Sequence, residues 1–431
     1  MKCCKLLFTN SLKMRIALFE DEKYINFEPL IYYRPVYELV CGASTLREKI
    51  ERAYPGLKIV LHCRKNLEEL LKSQNPSNVV NNFSDDEVLF INGRIVAPEN
   101  LSEIISPTLS EDKVFKSNGT VVAARVSGDR LKNILDKDII SSADFDGIPS
   151  EEVELTCAEY LWDLVYLNGE ELEKDIAFLS GKNNIEGTNT EEAKYTGVNF
   201  INPKQVFISK NVVIKPGVVL DASKGAIYLD KDVVIFPNAV IEGPVYIGES
   251  SIVKSCATIY ENVSVGKLCK VGGEIEDSII MSYSNKQHSG FLGHSYLGSW
   301  VNIGADTNCS DLQNNYGTIK VQVNGRHIDT GRQFVGLIMG DHSKTAINTM
   351  FNTGTVVGFS CNVYGEGFPP KYISSYGWGG SAAVREYKLA KAIETAKAVF
   401  KRRDKVFSEE EENIFNTIFN LTKADRERRG Y

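Results

Sequence analysis

The chain has 431 residues, enough for two or three domains with cores of their own. Its net charge is −7 and it contains no block of basic residues, which argues against a nucleic-acid partner. The nine cysteines are scattered without a CxxC pair, as expected of reduced thiols in a cytoplasmic protein. No apolar run approaches the ~18 residues of a membrane-spanning helix, so we expect no membrane partner.

The first part of the chain alternates short apolar runs with helical patterns. Thr45 opens a helix with a capping box to Glu48, and Cys157–Asn168 predicts the last helix of this part. Such alternation is typical of an α/β sheet that binds its ligand beyond the carboxyl ends of the strands. We place this domain at residues 14–185, with a linker at Gly181–Gly197. Strands are predicted at Met14–Phe19, Leu57–Leu61, Val88–Ile91 and Thr120–Val126.

A six-residue apolar repeat follows the linker. No helix gives a period of six, and a plain strand alternates at two. A triangular coil does give it, because each flat face takes one strand whose aliphatic residue points to the axis, and stacked coils bury a continuous column. The single nine-residue step marks a three-residue insertion in Asp221–Ile227. The repeat comprises Ile208, Ile214, Leu220, Leu229, Ile235, Ile241, Ile247, Val253, Ile259, Val265 and Val271.

The coil pattern continues for about 100 residues, and a helical tail follows it. We place the β-helix at residues 199–372, with a glycine-rich exit loop at Tyr372–Ser381. The tail covers residues 382–431: Ala382–Arg403 has helical periodicity, and Ser408 opens a second helix with a capping box. Beyond residue 271 the pattern runs through Phe291, Leu297, Ile303 and Ala346–Val363.

The repeat resembles the left-handed β-helix of hexapeptide-repeat acyltransferases. The whole chain resembles the variant class of bifunctional UDP-N-acetylglucosamine diphosphorylase/glucosamine-1-phosphate N-acetyltransferase proteins found in Bacteroidetes-type bacteria. The resemblance implies a Rossmann-like α/β nucleotidyltransferase domain, a left-handed parallel β-helix and a helical tail. It implies a cytoplasmic transferase of sugar-nucleotide biosynthesis that uses a sugar 1-phosphate, a nucleoside triphosphate with Mg²⁺, and acetyl-CoA. It also implies a homotrimer whose active sites lie between neighbouring β-helices.

The strongest motif match begins at Lys286 and continues without a gap to Ala305. The family has a histidine, an aromatic residue three positions on, and an Asn-Ile-Gly-Ala sequence at the same spacing. The resemblance therefore assigns His288 as the base that takes the proton when a sugar amine attacks the thioester. His294 is the alternative base. Histidine suits this task because its pKa lies close to neutral pH.

The remaining site residues of the β-helix also follow from the resemblance. Phe291 stands where the family has Tyr, and Glu276 stands where it has a phosphate-binding Lys. Tyr316 and Lys320 match a sugar-phosphate loop only with a gap, and a polar corner of the coil is the alternative role for Ser343 and Lys344. The implied substrate-binding residues are Glu274, Lys286, Phe291, Asn302, Tyr316 and Lys320, and the implied cofactor-binding residues are Gly304, Ala305, Ser343 and Lys344.

The nucleotidyltransferase resemblance rests on Pro29-Leu30 and on Arg34–Leu39, and the chain departs from the family twice. Glu20–Lys23 replaces a glycine-rich phosphate loop, and Arg94 replaces an aspartate that holds Mg²⁺. We therefore expect nucleotidyl transfer to be weakened, because the reaction depends on positioned charge and usually on that metal. No metal ligands are assigned. The candidate phosphate-binding residues are Arg34, Arg47, Lys49 and Arg94, with paired structural charges as the alternative.

Two other interpretations stay open at this stage. The chain could keep only the acyltransferase activity, with a first domain that binds a nucleotide or sugar phosphate without catalysis. It could instead be a trimeric scaffold without enzymatic activity. The spacing of His288, Asn302 and Gly304 argues against the scaffold.

Overall fold

The computed structural model describes residues 15–83, 87–187 and 195–431. Within these ranges no helix is both long and apolar enough to cross a membrane. The chain forms two compact units, each made of several segments of the sequence. Of the described residues, the first unit comprises those up to Tyr24, Arg34–Leu39 and those from Thr45 to Glu159. The second comprises Ile25–Tyr33, Val40–Ser44 and the described residues from Tyr160 to Tyr431.

A seven-stranded sheet forms the first unit, with a parallel half and an antiparallel half. Phe19, Phe90 and Phe145 pack together in its core. Thr45 caps its first helix, and the predicted capping box with Glu48 is confirmed. In spatial order the strands are Val79–Val80, Ile59–Leu61, Arg15–Phe19, Glu87–Asn92, Thr120–Ser127, Lys113–Ser117 and Ser150–Glu152. The α-helices are Leu46–Ala53, Glu68–Gln74, Leu101–Ile104 and Gly128–Leu135, and the 3-10 helices are Glu22–Phe27, Val36–Glu38, Lys65–Leu67 and Ser142–Phe145.

A parallel β-helix forms most of the second unit, which confirms the architecture predicted from the hexads. Short strands stack on three faces, and each strand pairs in parallel with its counterpart one coil away. The first face contains Asn199–Ile201, Val219–Asp221, Val240–Glu242, Thr258–Ile259, Glu274–Glu276 and Phe291–Gly293, with a separate pair at Asn308–Cys309 and Met350–Phe351. The second contains Val206–Ile208, Ile227–Leu229, Val245–Ile247, Val263–Val265, Ile279–Ile280, Tyr296–Leu297, Ile338–Met339, Val356–Val357 and Tyr372–Ile373.

The third face is continuous through a single bridging residue. Asn302 forms parallel bridges with Asn285 on one side and with Lys344 on the other, so the strands before and after it belong to one face. Val384–Glu386 closes this face as an antiparallel edge strand. Its other strands are Val213–Ile214, Val234–Ile235, Ile252–Val253, Lys270–Val271, Asn285–Lys286, Lys344–Thr345, Asn362–Val363 and Gly377–Gly379.

Aliphatic side chains from all three faces fill the axis of the coil. The corners turn on residues with positive φ, such as Asn238 (61°) and Gly217 (83°). A Cβ at Gly217 would lie 2.1 Å from the side-chain oxygen of Asn238, so this corner requires glycine. Burial of these columns is the main source of stability for stacked coils.

The predicted register is wrong at Phe291. The structure points Leu292 to the axis, where it is 2% exposed, and leaves Phe291 half-buried on the outside. The cause is two short steps after Val271, of four and five residues, which bring the next axial positions to Ile275 and Ile280. A strict six-residue count cannot anticipate such shortened corners.

Three predicted segments differ from the structure. The helix expected at Cys157–Asn168 runs instead from Leu161 to Asn183, and it belongs to the second unit. There its apolar residues pack against the Ala226–Tyr228 stretch of the coils. The helix also takes up the start of the predicted linker, while residues 188–194 of that linker, like residues 1–14, lie outside the described ranges. The predicted exit loop contributes two coil strands.

The tail contains three α-helices that pack on the last coils. Ser408 caps the second of them by accepting a hydrogen bond from the Glu411 N–H. Arg426 is fully buried, and its guanidinium donates to Glu386 at 2.9 Å. The tail helices are Leu389–Lys401, Glu409–Leu421 and Lys423–Arg428.

The remaining elements lie outside the tail. They are the helix Leu161–Asn183, the 3-10 helix Pro203–Gln205, the paired short strands Val40–Cys41 and Ser44–Thr45, and a hairpin of Lys320–Val323 and Arg326–Asp329.

Candidate functional site

In the first unit, oppositely charged residues meet at the carboxyl edge of the parallel strands. Asp21 follows the strand Arg15–Phe19, and Arg94 follows the neighbouring strand Glu87–Asn92. The Arg94 Nε donates to Asp21 Oδ1 at 2.8 Å and its Nη2 donates to Oδ2 at 2.5 Å. Its Nη1 donates to the Ala158 carbonyl at 2.6 Å, and the side chain is fully buried.

A second buried pair lies at the same edge. Arg64 Nε donates to Glu20 Oε2 at 2.9 Å, and Glu20 Oε1 accepts the N–H of Val36 at 2.9 Å. Glu20 and Arg64 are 0% and 5% exposed. Two acidic residues of the segment Glu20–Lys23 are therefore neutralised by buried arginines of the same unit, Glu20 by Arg64 and Asp21 by Arg94.

The two places at which the sequence departs from the family it resembles, Glu20–Lys23 and Arg94, form an ion pair with each other in the structure. Arg94, predicted as a phosphate ligand, is instead the buried partner of Asp21. The residues at this strand end do not fit Mg²⁺, because both carboxylate oxygens of Asp21 are bound by the guanidinium and Asn92 donates to Asp21 at 2.8 Å. The signal in the sequence is that an acid (Asp21) and a base (Arg94) each follow one of two predicted strands. Considering the two residues together would have suggested that they form an ion pair.

The other predicted phosphate ligands of this unit are buried or paired as well. Arg47 forms ion pairs with Glu38 at 2.7 Å and with Glu51 at 3.3 Å. Arg34 and Lys49 are 8% and 3% exposed, and both have partners. The structure does not present these residues as an open cationic cluster.

In the second unit, His288 lies on the corner that joins the third face to the first. Its side chain is exposed, while Lys286 two residues earlier is 1% exposed and points into the coil. The Lys286 ammonium donates to the carbonyls of Gly272 (3.0 Å), His288 (2.6 Å) and Ser289 (3.2 Å). Burial lowers the pKa of Lys286 to about 8. Lys286, predicted to bind substrate, instead holds the corner that presents His288.

Two further predicted residues lie next to this corner on the outside of the first face. Glu274 is exposed and pairs in register with Phe291, whose N–H donates to the Asn308 side chain at 2.9 Å. The exposed His288 and Glu274 and the half-buried Phe291 therefore lie on one corner and the adjoining strands of the first face. Tyr316, 66% exposed, and Lys320 lie farther along the chain in the long insertion between Cys309 and Ile338.

His294 lies in a different, more enclosed cluster. Its Nδ1 is 2.8 Å from Asp311 Oδ2 and its Nε2 is 3.7 Å from Asp277 Oδ2, while its ring stacks on Phe334 at 4.9 Å. Potential ligand atoms of Glu276, His294 and Asp311 lie within 4.8 Å of one another. Burial, and then the nearby carboxylates, raise the pKa of Glu276, and burial raises that of Asp277. A histidine oriented by a carboxylate has the geometry of a general base.

Sequence reasoning missed Asp277 and Asp311, although a signal for them exists. Both lie 17 residues from His294, which is the coil length in this part of the chain. The pair Phe291–Asn308 has the same spacing. Aligning residues at the local coil length would have placed these carboxylates beside the histidine.

The third face and the tail enclose a cationic pocket of about 310 Å³. Asn302 and Lys344, both predicted as ligand-binding residues, are bridged neighbours on its floor. Lys270 also lines it, together with Arg402 and Arg403, which follow the first tail helix. Burial lowers the pKa of Lys344 to about 8. Sequence reasoning missed both arginines, because only the packed tail brings them to the coil.

The other predicted cofactor-binding residues serve the stacking of the coils. Ser343 is fully buried; its hydroxyl donates to the Gly358 carbonyl at 2.6 Å and accepts the Cys361 N–H. It is therefore a structural residue of the coil interior. A Cβ at Gly304 would lie 2.3 Å from the Ala346 carbonyl, so glycine is required there for close stacking. Ala305 occupies the same corner and is half-buried.

The first part of the chain matches a known family. Residues 16–184 match the family described as sugar nucleotidyl transferase. The match extends through the Leu161–Asn183 helix, which packs in the second unit. A region that matches this family is thus followed by a β-helix in the same chain.

Several curated relatives combine two activities in their names. The chain is 26% identical over 200 residues to the bifunctional protein GlmU of Methanocaldococcus jannaschii, covering 46% of this chain and 42% of the relative. It is 33% identical over 97 residues to the bifunctional sugar-1-phosphate nucleotidylyltransferase/acetyltransferase of Sulfurisphaera tokodaii, covering 22% of this chain and 24% of the relative. The matched region spans less than half the length of these relatives.

Two solved structures are similar to the chain at low identity. The UDP-N-acetylglucosamine acyltransferase of Campylobacter jejuni is 14% identical with a TM-score of 0.31, covering 53% of this chain and 95% of that one. The LpxA acyltransferase of Bacteroides fragilis is 16% identical with a TM-score of 0.29, covering 55% and 84%.

Proposed function

We propose that this GlmU-like chain, which joins a sugar nucleotidyl transferase region to a hexapeptide-repeat β-helix, is a transferase of sugar-nucleotide biosynthesis. In this proposal the β-helix N-acetylates an amino-sugar phosphate with acetyl-CoA. The first unit transfers a nucleotidyl group to a sugar 1-phosphate, at a reduced rate. The observation that carries the acetyl-transfer half is the exposed corner on which Lys286 holds His288 beside Glu274 and Phe291.

His288 is the proposed general base. The amine nitrogen of the sugar attacks the thioester carbonyl carbon, the C–S bond breaks, and the thiolate of CoA leaves. His288 takes the proton that the amine loses and passes it on to the departing sulfur, so the protein is unchanged. The three hydrogen bonds from Lys286 fix the backbone on which the imidazole is displayed.

His294 remains the alternative base, and one observation favours it. Its Nδ1 is already oriented by Asp311 at 2.8 Å, whereas His288 has no side-chain partner among the described residues. The two histidines can be separated by substitution. We expect His288→Ala to lower turnover by about 10²–10⁴-fold while acetyl-CoA still binds, and His294→Ala to have the milder effect. Normal turnover in His288→Ala together with loss in His294→Ala would instead identify His294 as the base.

The first unit supports a second candidate, an acyltransferase whose nucleotidyl half has no activity. Its candidate cations are buried or paired, and the end of the Glu87–Asn92 strand offers no Mg²⁺ ligand set. Phosphoryl transfer needs positioned positive charge at this edge. We therefore expect the nucleotidyl reaction to be slow, with Mg²⁺ present only as the complex of the nucleoside triphosphate.

A homotrimer is part of the proposal, because the exposed corner at His288 needs a second wall to exclude water from the reaction. The flat outer faces of the coil are suited to such a contact. We expect a sedimentation mass of about three times 48.0 kDa at micromolar concentration. A mass near that of one chain would rule out the trimer.

Two product assays test the function. The protein is incubated with a panel of hexosamine 1-phosphates and acetyl-CoA, and separately with nucleoside triphosphates, Mg²⁺ and sugar 1-phosphates. Products are identified by mass spectrometry, with His288→Ala as the control for the first assay. An acetylated sugar phosphate alone supports the acyltransferase-only candidate. Rapid pyrophosphate release in the second assay would contradict the expected weakening, and no product in either would overturn the proposal.

A further inference from the structure

The cationic pocket, defined by Lys270, Lys344, Arg402 and Arg403, collects positive charge without a counter-charge. These four residues come from three separate segments of the chain and line one cavity of about 310 Å³. No carboxylate is among the lining residues. Within the described parts of the chain, none of the four side chains lies within ion-pair distance of an acidic group.

The cations of the pocket disfavour one another. Burial lowers the pKa of Lys270, and the charges of Arg403 and Arg402 lower it further. Elsewhere in the same chain the buried Arg426 is matched by Glu386 at 2.9 Å, whereas the exposed Arg402 and the half-buried Arg403 have no acid beside them among the described residues. The partial negative charge at the C-terminal end of the Leu389–Lys401 helix offsets only a part of the repulsion among these cations. Four like charges in a partly enclosed space therefore call for a bound anion.

The pocket is held in shape by contacts outside its charged groups. The Trp300 ring stacks between Tyr283 at 4.2 Å and Phe400 at 4.1 Å, which fixes the first tail helix on the coil. Arg403 donates to the Asn285 side-chain oxygen at 3.0 Å, and Lys344 donates to the His342 carbonyl at 2.8 Å. The cations are thus positioned before a ligand arrives, which lowers the entropic cost of binding.

We infer that this pocket binds the phosphate group of a transfer substrate, an inference that rests on the proposed function. A phosphate ester carries up to two negative charges and several acceptor oxygens, which suits paired arginines and lysines. The side-chain amide of Asn302 also lines the pocket and is a neutral donor. The volume is at the small end of ligand pockets, so it fits one phosphorylated moiety.

Two substrates supply this chemistry, the phosphorylated amino sugar and CoA. Isothermal titration calorimetry on the full chain at low salt distinguishes them. The ligands are pyrophosphate, CoA, 3′-dephospho-CoA, glucosamine 1-phosphate and glucosamine. A difference between CoA and 3′-dephospho-CoA identifies the donor, and a difference between glucosamine 1-phosphate and glucosamine identifies the acceptor.

The double variant Arg402→Met/Arg403→Met tests the site itself. We expect it to weaken binding of the recognised substrate by about tenfold to a hundredfold, because it removes charged hydrogen-bond donors. Lys405→Met is the matched control, a nearby exposed cation that does not line the pocket, and it should change affinity less than about twofold. Thermal unfolding checks that the tail still packs in both variants.

Three outcomes would overturn the inference. The double variant could bind every anion as tightly as the wild type, or Lys405→Met could weaken binding equally. Pyrophosphate alone could depend on the arginines while neither substrate does. The binding measurements do not depend on turnover. Absence of an acetylated product would therefore count against the proposed function only, and calorimetry alone would decide whether the pocket binds the phosphate group.

Discussion

The first unit and the cationic pocket treat basic side chains in opposite ways. Arg64 and Arg94 are buried, and each is bound by a carboxylate that follows the adjacent strand. The pocket brings Lys344, Arg402 and Arg403 together without any acid. The sequence pointed to Arg94 as a phosphate ligand, did not single out Arg64, and overlooked both arginines of the pocket. The difference teaches that a basic residue indicates an anion site only when its counter-charge is accounted for.

Arg94→Met gives the largest expected effect on this comparison. It leaves Asp21 buried at 6% exposure without its cation, and breaking such a pair costs about 3–5 kcal/mol. We expect urea denaturation of the full chain to show the first unit unfolding at markedly lower denaturant. Lys132→Met, whose exposed lysine pairs with Asp129, is the control and should cost under about 0.5 kcal/mol. Equal stability of the two variants would mean that the Asp21 pair is not structural.

Restoring neutrality sharpens the same prediction. The double variant Asp21→Leu/Arg94→Met removes both charges and should recover much of the stability lost in Arg94→Met, because no isolated charge remains. The double-mutant cycle, measured by the same denaturation, gives the coupling. A double variant less stable than Arg94→Met alone would contradict the charge explanation and point to packing.

The pocket should respond to pH through Lys344. Burial lowers the pKa of Lys344 from 10.5 to about 8, so the lysine is charged below that pH and neutral above it. We expect affinity for pyrophosphate to fall by about tenfold between pH 7 and pH 9.5, and Lys344→Met to remove most of that dependence. Without the anion the sign reverses: stability contributed at Lys344 rises with pH from about 8 to 10.5, because only the unfolded chain keeps the proton.

The smallest effect is expected for Lys270→Met. Removing one cation from a like-charged group should raise stability by up to about 1 kcal/mol at low salt, and the gain should shrink as salt screens the pocket. Thermal unfolding at two salt concentrations measures it. A loss of stability at low salt would show that Lys270 has a favourable partner and would weaken the contrast with the first unit.

The fold was largely predictable because its signal is periodic. Six-residue spacing from Ile208 to Val271 identified the coil, and local capping identified the helices at Leu46 and Glu409. The prediction of which residues point to the axis failed after Val271. There the spacing between axial residues shortens from six to four and then five residues, at corners that contain glycines and polar residues. Periodicity alone cannot report a shortened corner, so Phe291 was placed on the wrong side of the strand.

The site was predictable only where its residues are close in sequence. The motif around His288 identified an exposed corner with Glu274 and Phe291 beside it. Lys286 was misassigned, because a lysine at an axial position is indistinguishable from a surface lysine without the coil phase. Arg402 reaches the pocket through the stacking of Phe400 on the coil, a tertiary contact that no local pattern encodes.

The position of the tail arginines also has a consequence during synthesis. The floor of the pocket at Asn302 is made about a hundred residues before Arg402. At about 5–20 residues per second, the ribosome needs on the order of 5–20 s to cover that distance. During this interval the coils can stack, but the Trp300 ring does not yet have the Phe400 ring packed on it. A nascent chain should therefore gain its anion affinity late, only after residue 403 has left the ribosome and the tail has closed on the coil.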